Sequence, residues 1–169
     1  MATRTSLRDY QRDLAARLQS AGSGGAATKL GLQVGGGRWL VDLRDAGEVI
    51  PVPPITPVPL TQPWFRGVAN IRGNLCSVVD FAAFLGASPA PVGEQARLLL
   101  FGARFRTGGA LLVERSLGLR NPEELQAQAA SGPQPAWLKG EFSDAQGVRW
   151  KELDVAQLVA DAEFLAVGA

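Results

Sequence analysis

Apolar and polar residues alternate along two short stretches early in the chain. Leu30, Leu32 and Val34 interleave with Lys29, Gly31 and Gln33, and Trp39, Val41 and Leu43 interleave with Arg38, Leu40 and Asp42. A period of two is that of a half-buried strand, so the pattern predicts two strands joined at Gly35-Gly36-Gly37. That glycine run leads into a strand and not a helix, which makes it a hairpin turn and not a phosphate cradle. Val68, Ile71, Leu75, Val78 and Val79 supply further strand formers, broken by Arg72-Gly73-Asn74, and predict a second hairpin that displays one arginine at its turn. The period then changes. Phe81, Phe84 and Leu85 fall at i, i+3 and i+4 of a short helix, with Asp80 placed to cap its start and Gly86 to end it.

Downstream, Leu98-Leu99-Leu100-Phe101 and Ala110-Leu111-Leu112-Val113 are continuous apolar runs of strand length, with Gly108-Gly109 turning into the latter. Asn121-Pro122-Glu123-Glu124 has the cap, proline and acids of a helix start, and Val155 to Leu165 reads as a closing helix. At the other end, residues 6–20 predict an amphipathic helix. Ser6 and Asp9 stand at its cap, Leu7, Tyr10, Leu14 and Leu18 form one stripe, and Asp13 pairs with Arg17 at i,i+4. Gly22-Ser23-Gly24-Gly25 follows as a flexible linker, so the expected organisation is a helix and tether over 1–27 and a β-rich body over 28–165.

The hairpin-and-helix unit occurs twice. Trp64-Phe65-Arg66-Gly67 is echoed by Trp137-Leu138-Lys139-Gly140, and Asp80-Phe81-Ala82-Ala83-Phe84-Leu85 by Asp154-Val155-Ala156-Gln157-Leu158-Val159. The tryptophans lie 73 positions apart and the aspartates 74. Two copies at that spacing do not make a stacking array, and they point to two related small β modules packed together. Between the modules' first strands, Pro51 to Pro59 carries five prolines, so the segment is extended. Val52, Ile55 and Val58 recur with the polyproline period of three, as expected of a connector wrapped against one module.

Composition narrows the function. The 169 residues contain no histidine, which removes the commonest general base, the usual zinc ligand and the phosphoacceptor of histidine kinases. No P-loop or nucleophile-elbow string is present, so neither metal nor nucleotide is expected as a cofactor and no enzyme activity is expected. A small β-barrel enzyme using acids such as Glu48 and Asp80 is the minor alternative. The net charge of +1 gives no field for nucleic acid or acidic lipid. No apolar run has the length of a membrane span, so a cytoplasmic location is expected, and Cys76 has no cysteine partner.

The hairpin Val68-Ala69-Asn70-Ile71-Arg72-Gly73-Asn74-Leu75, followed by Val78-Val79-Asp80 and a short helix, resembles the signature of the CheW coupling domain. The resemblance extends over residues 28–165 and includes Val49-Ile50-Pro51, Thr56-Pro57-Val58-Pro59 and the unit from Gly140 to Asp154. It implies a mainly β fold of two intertwined five-stranded SH3-like β-barrel subdomains with short helices. It also implies a noncatalytic adaptor between the cytoplasmic tip of methyl-accepting chemoreceptors and the regulatory domain of a CheA-type histidine kinase, in membrane-associated receptor arrays. The opening Ser6-Leu7-Arg8-Asp9-Tyr10 together with Pro63 to Val68 is similar to family members that serve type IV pilus chemosensory systems, which makes twitching motility the expected output. A flagellar-type coupling role, or peptide binding by an SH3-like adaptor outside chemosensing, are the alternatives.

By the same resemblance, receptor contact falls in a groove between the barrels and involves Arg72, with Asn70, Gly67, Gly73 and Glu48 matching neighbouring positions. Ala46 stands where a branched aliphatic residue is common in that groove. From the residues alone, Arg72 also reads as a surface side chain that satisfies turn carbonyls or pairs with Asp80. Trp64 and Trp137 read as core anchors.

Overall fold

The computed structural model describes residues 28–169, and the predicted helix over 6–20 lies outside them. Eleven strands form two sheets. The first repeat contributes β1 (Lys29–Val34), β2 (Gly37–Asp42), β3 (Ala46–Pro51), β4 (Phe65–Ile71), β5 (Asn74–Asp80) and helix α1 (Phe81–Phe84). The second contributes β6 (Arg97–Phe101), β7 (Gly109–Val113), β8 (Arg115–Arg120), the short β9 (Gln126–Gln128), β10 (Leu138–Ser143), β11 (Arg149–Leu153), α2 (Val155–Val159) and α3 (Ala162–Leu165).

The order of strands shows how the repeats are joined. One sheet runs β8-β1-β2-β11-β10-β9 and the other β3-β6-β7-β5-β4. Each sheet therefore takes an opening hairpin from one repeat and its remaining strands from the other. The β1–β2 hairpin is held between β8 and β11, and the β6–β7 hairpin between β3 and β5. In both sheets one junction with the exchanged hairpin is parallel, β11 with β2 and β5 with β7, while all other pairings, including the hairpin's second junction, are antiparallel.

The expected hairpin turns form as the glycines require. Val34 pairs with Gly37 across Gly35 and Gly36 at φ 57° and 74°. Ile71 pairs with Asn74 across Arg72 and Gly73 at φ 52° and 84°. Both are two-residue turns with two left-handed positions, the type whose twist matches the strands. Asn74 belongs to β5 and is not part of the turn.

Alternation splits the side chains between two cores. Ala69, Cys76, Val78, Leu98, Ala110 and Leu112 fill the interior of the second barrel, and Val52 and Ile55 of the proline-rich segment pack against them. Val58 remains partly exposed, so two of the three polyproline positions dock. The intervening residues Val79, Leu99, Phe101, Leu111 and Val113 face away from that interior and meet Leu30, Leu32, Val34, Trp39 and Val41 of the first sheet. This shared layer welds the barrels together. The half-buried tryptophans flank it as expected: Trp64 packs on Phe84 at 5.3 Å, and Trp137 reaches Phe84 at 6.0 Å and Trp39 at 6.2 Å between ring centres.

The first barrel's interior differs. Trp150 and Leu40 are fully buried, but beside them Lys29 Nζ contacts Glu152 Oε1 at 2.6 Å and Asp42 Oδ2 at 3.5 Å. Arg44 closes on Asp42 from outside with two bonds of 2.9 and 3.1 Å, which with Lys29 hold that carboxyl well below the usual carboxylate range. The predicted closing helix is two short ones. Asp161 accepts from Phe164 N at 3.0 Å and starts α3 anew, so the chain turns after Val159 and Phe164 is carried back into the shared core. Asn121 caps only a single 3-10 turn, Pro122–Glu124, with its side chain accepting from Glu123 N.

Candidate functional site: the β4–β5 turn and its clasp

Arg72 owes its display to the turn chemistry. Its left-handed backbone and that of Gly73 close the hairpin, and Asn70 Oδ1 accepts from Gly73 N at 2.9 Å, which fixes the turn from within. The guanidinium then reaches across to β3, on the far edge of the same sheet. Nη1 and Nη2 donate to the two carboxylate oxygens of Glu48 at 2.8 and 2.6 Å. This is the paired fork geometry that a planar guanidinium allows and an ammonium does not. The bond to Arg72 lowers the Glu48 pKa, and the same bond raises that of Arg72.

Glu48 reaches the pair because of a bulge. Pairing of β3 with β6 shifts register between Ala46 and Glu48, where Gly47 is inserted. A Cβ on Gly47 would lie 2.8 Å from the carbonyl oxygen of Phe101, so only glycine fits against β6 there. The clasp thus bridges the two edge strands β3 and β4 where the sheet curls toward closure. Both partners are well exposed, with side chains 70% and 41% accessible, so the pair adds little to stability and stays open to a partner.

Beside the clasp, Leu75 is 72% exposed, an apolar side chain held out of either core. With Ile71, Arg72, Leu100, Phe101 and Gly108 it lines a shallow cleft of about 230 Å³. Leu75 was detectable in the sequence only as the strand residue out of phase with Cys76 and Val78. A second cleft of about 190 Å³ opens between the second barrel's sheet and the C-terminal segment, where Phe65, Val79 and Phe101 meet Phe164, Leu165 and Val167. Ala46 packs against the shared core, paired with Phe101.

The five singled-out positions divide accordingly. Arg72, Glu48, Asn70 and Gly73 form one constellation. Gly67 lies at the opposite end of β4 and serves packing: its φ is 126°, and a Cβ there would fall 2.0 Å from the carbonyl oxygen of Thr56, whose strap pairs with Val68. The pairing of Arg72 with Asp80 does not occur. Arg66 takes that place, with Nη1 3.5 Å from Asp80 Oδ2, while Asp80 is fully buried and caps α1. Glu48 and Asp80 are therefore committed to separate structural contacts and do not form an acid pair. Among the described residues, no group of three or more metal-ligating side chains comes together, and no helix is long and apolar enough to cross a membrane.

Two interleaved barrels of SH3-like type, one of them carrying an arginine-tipped hairpin clasped to its opposite edge, define a two-barrel β domain. The chain belongs to the CheW-like domain family, whose model matches residues 29–163. It is similar to "Protein PilI" of Pseudomonas aeruginosa, at 30% identity over 92 residues, 54% of this chain and 51% of that protein. The chain thus matches about half the length of that curated relative. Its fold is similar to the crystal structure of scaffolding protein TtCheW from Thermoanaerobacter tengcongensis, with a TM-score of 0.62 at 14% identity over 76% of this chain and 88% of the other.

Proposed function

We propose that this chain is a noncatalytic adaptor that couples the cytoplasmic tip of methyl-accepting chemoreceptors to the regulatory domain of a CheA-type histidine kinase, in receptor arrays that control type IV pilus twitching motility. Residues 28–165 act as the coupling domain, and the receptor contact centres on Arg72 and Glu48, with Asn70 and Gly73 holding the turn and Gly67 seating the strap behind it. The similarity to PilI supports the pilus output.

The observation that carries this reading is an asymmetry. The repeats share their hairpins, caps and bulges, yet among the described residues only the second barrel has an arginine–glutamate clasp between its edge strands. A device needed for closing the fold would serve both barrels. A clasp on one barrel, exposed and beside Leu75, is suited to recognition.

Arg72→Asp tests the proposal. The position leaves no cavity, while the new carboxylate opposes both Glu48 and any partner acid. Immobilised receptor tip should bind the variant at least about tenfold more weakly, at unchanged melting temperature. Normal receptor binding would remove Arg72 from the site, and early melting would make the arginine structural.

A further inference from the structure

At the tip of the β1–β2 hairpin, remote in sequence from the Arg72 clasp, a cavity of about 520 Å³ is lined by Arg38, Trp39, Glu141, Arg149, Trp150 and Lys151. Three cations from two neighbouring strands line it, with Glu141 as the one carboxylate in its wall. The register brings them together: Lys151 of β11 pairs with Trp39 of β2 in the parallel junction between repeats, and Glu141 of β10 pairs with Lys151.

These cations are anchored on rings. The Arg38 guanidinium carbon lies 5.6 Å from the Trp150 ring centre, and Lys151 Nζ lies 5.7 Å from that of Trp39. Such contacts fix where a cation sits, and Arg38 also acts through space on the Asp144 carboxylate, which accepts from Trp150 Nε1 at 3.0 Å. Among the described residues neither Arg38 nor Lys151 has a carboxylate within ion-pair distance, and Arg149 only grazes Glu141 at 3.9 Å. Glu141 is itself divided, because its Oε1 also accepts from Gln134 Nε2 at 3.0 Å.

We infer that this cavity is a docking site for an acidic segment of a partner protein, one that brings two or more carboxylates close together. Charge complementarity selects the occupant. The chain's own residues 1–27 are excluded, since Arg4, Arg8, Arg12 and Arg17 outnumber Asp9 and Asp13. Nucleic acid is disfavoured because three cations around a bounded cavity, in a chain of net charge +1, do not make the extended stripe that a phosphate backbone needs. The site is separate from the Arg72 clasp, so it stands or falls independently of receptor coupling.

An NMR titration of the full chain with a capped hexaglutamate peptide tests this. The indole N–H signals of Trp39 and Trp150 and the amides of Arg38 and Lys151 should shift together, and the shifts should weaken as salt is raised. The double variant Arg38→Glu/Lys151→Glu should bind at least tenfold more weakly, whereas Arg97→Glu, on the other barrel, should bind as the parent does. Glu141→Gln removes the competing carboxylate and should tighten binding severalfold, a gain that misfolding cannot imitate. The inference is overturned if Glu141→Gln brings no gain, if Arg97→Glu weakens binding as much as the double variant, or if an uncharged hexaglutamine peptide binds equally. It is equally overturned if a DNA duplex or anionic phospholipid vesicles bind the cavity more tightly than the peptide.

Discussion

Asp80 and Asp154 hold the same position in the two repeats, and each donates its backbone N–H to the carbonyl of its repeat's tryptophan, Trp64 or Trp137, at 2.8 Å. Each side chain caps the following helix, accepting from Ala83 N or Gln157 N at 3.1 Å. Only Asp80 is fully buried, and it accepts a further bond from Ala90 N at 2.9 Å. Replacing Asp80 by alanine removes a cap and strands a buried N–H, a loss of about 2–4 kcal/mol, whereas Asp154→Ala loses a cap alone, about 1 kcal/mol. Urea denaturation of both variants should show that order. Equal losses would mean that the Ala90 bond carries no weight.

Glycines at equivalent places should differ as sharply. Gly67 and Gly140 both follow a bulge, at Arg66 and Lys139. A Cβ on Gly67 collides with Thr56, while one on Gly140 first meets the Phe142 ring at 3.4 Å. Gly67→Ala should therefore cost more than about 3 kcal/mol and loosen the proline-rich strap, with Gly140→Ala far milder. Gly73→Ala, left-handed but in open space, should cost about 1–2 kcal/mol. Thermal melts of the three variants rank them.

Acid sensitivity should trace to Asp42. Its carboxyl is held below its ordinary value by the bond from Arg44, and by Lys29, in the folded chain. A depressed folded pKa stabilises above the unfolded value, near 3.9, and that stabilisation is lost as pH falls through the acid range. Asp45 acts oppositely, because burial raises its pKa, so its protonation favours the fold as pH drops. Asp42→Asn should lower stability at neutral pH and flatten the decline on acidification, read as melting temperature from about pH 7 to about pH 3. An unchanged slope would assign the acid limb to other groups.

Cys76 should be silent in the native protein. It lies in the interior of the second barrel, is 7% exposed, and has a thiol pKa raised by burial. A thiol reagent should label it only at the rate at which that barrel opens, and labelling should accelerate in step with denaturant. Immediate labelling without denaturant would show that β5 is freely accessible.

Much of this fold was legible because burial leaves a period. The strands from Lys29 to Asp42, the β4–β5 hairpin and both Asp-capped helices follow directly from alternation, turn glycines and caps. Strands β8 and β9 left no such mark. Their side chains are mostly exposed, and backbone pairing at a sheet edge makes no demand for apolar residues. The break at Asp161 was hidden because one apolar stripe runs through both halves, and only the cap bond to Phe164 divides it. Arg72 was identified by its turn and Glu48 by the family resemblance, but the bond between them was not legible. Glu48 lies 24 positions away and meets it only because β3 and β4 are opposite edges of a curling sheet.

The exchange of hairpins has a consequence for inheritance as well as for stability. A gene encoding either repeat alone would specify a hairpin that belongs to one barrel and three or four further strands that belong to the other, with no closed unit among them. Such a half could complete itself only by trading hairpins with a twin, so the whole chain has the form of a domain-swapped dimer whose subunits have been fused end to end. Fusion frees the two halves to diverge, which a homodimer forbids, and a single lopsided clasp is what that freedom permits.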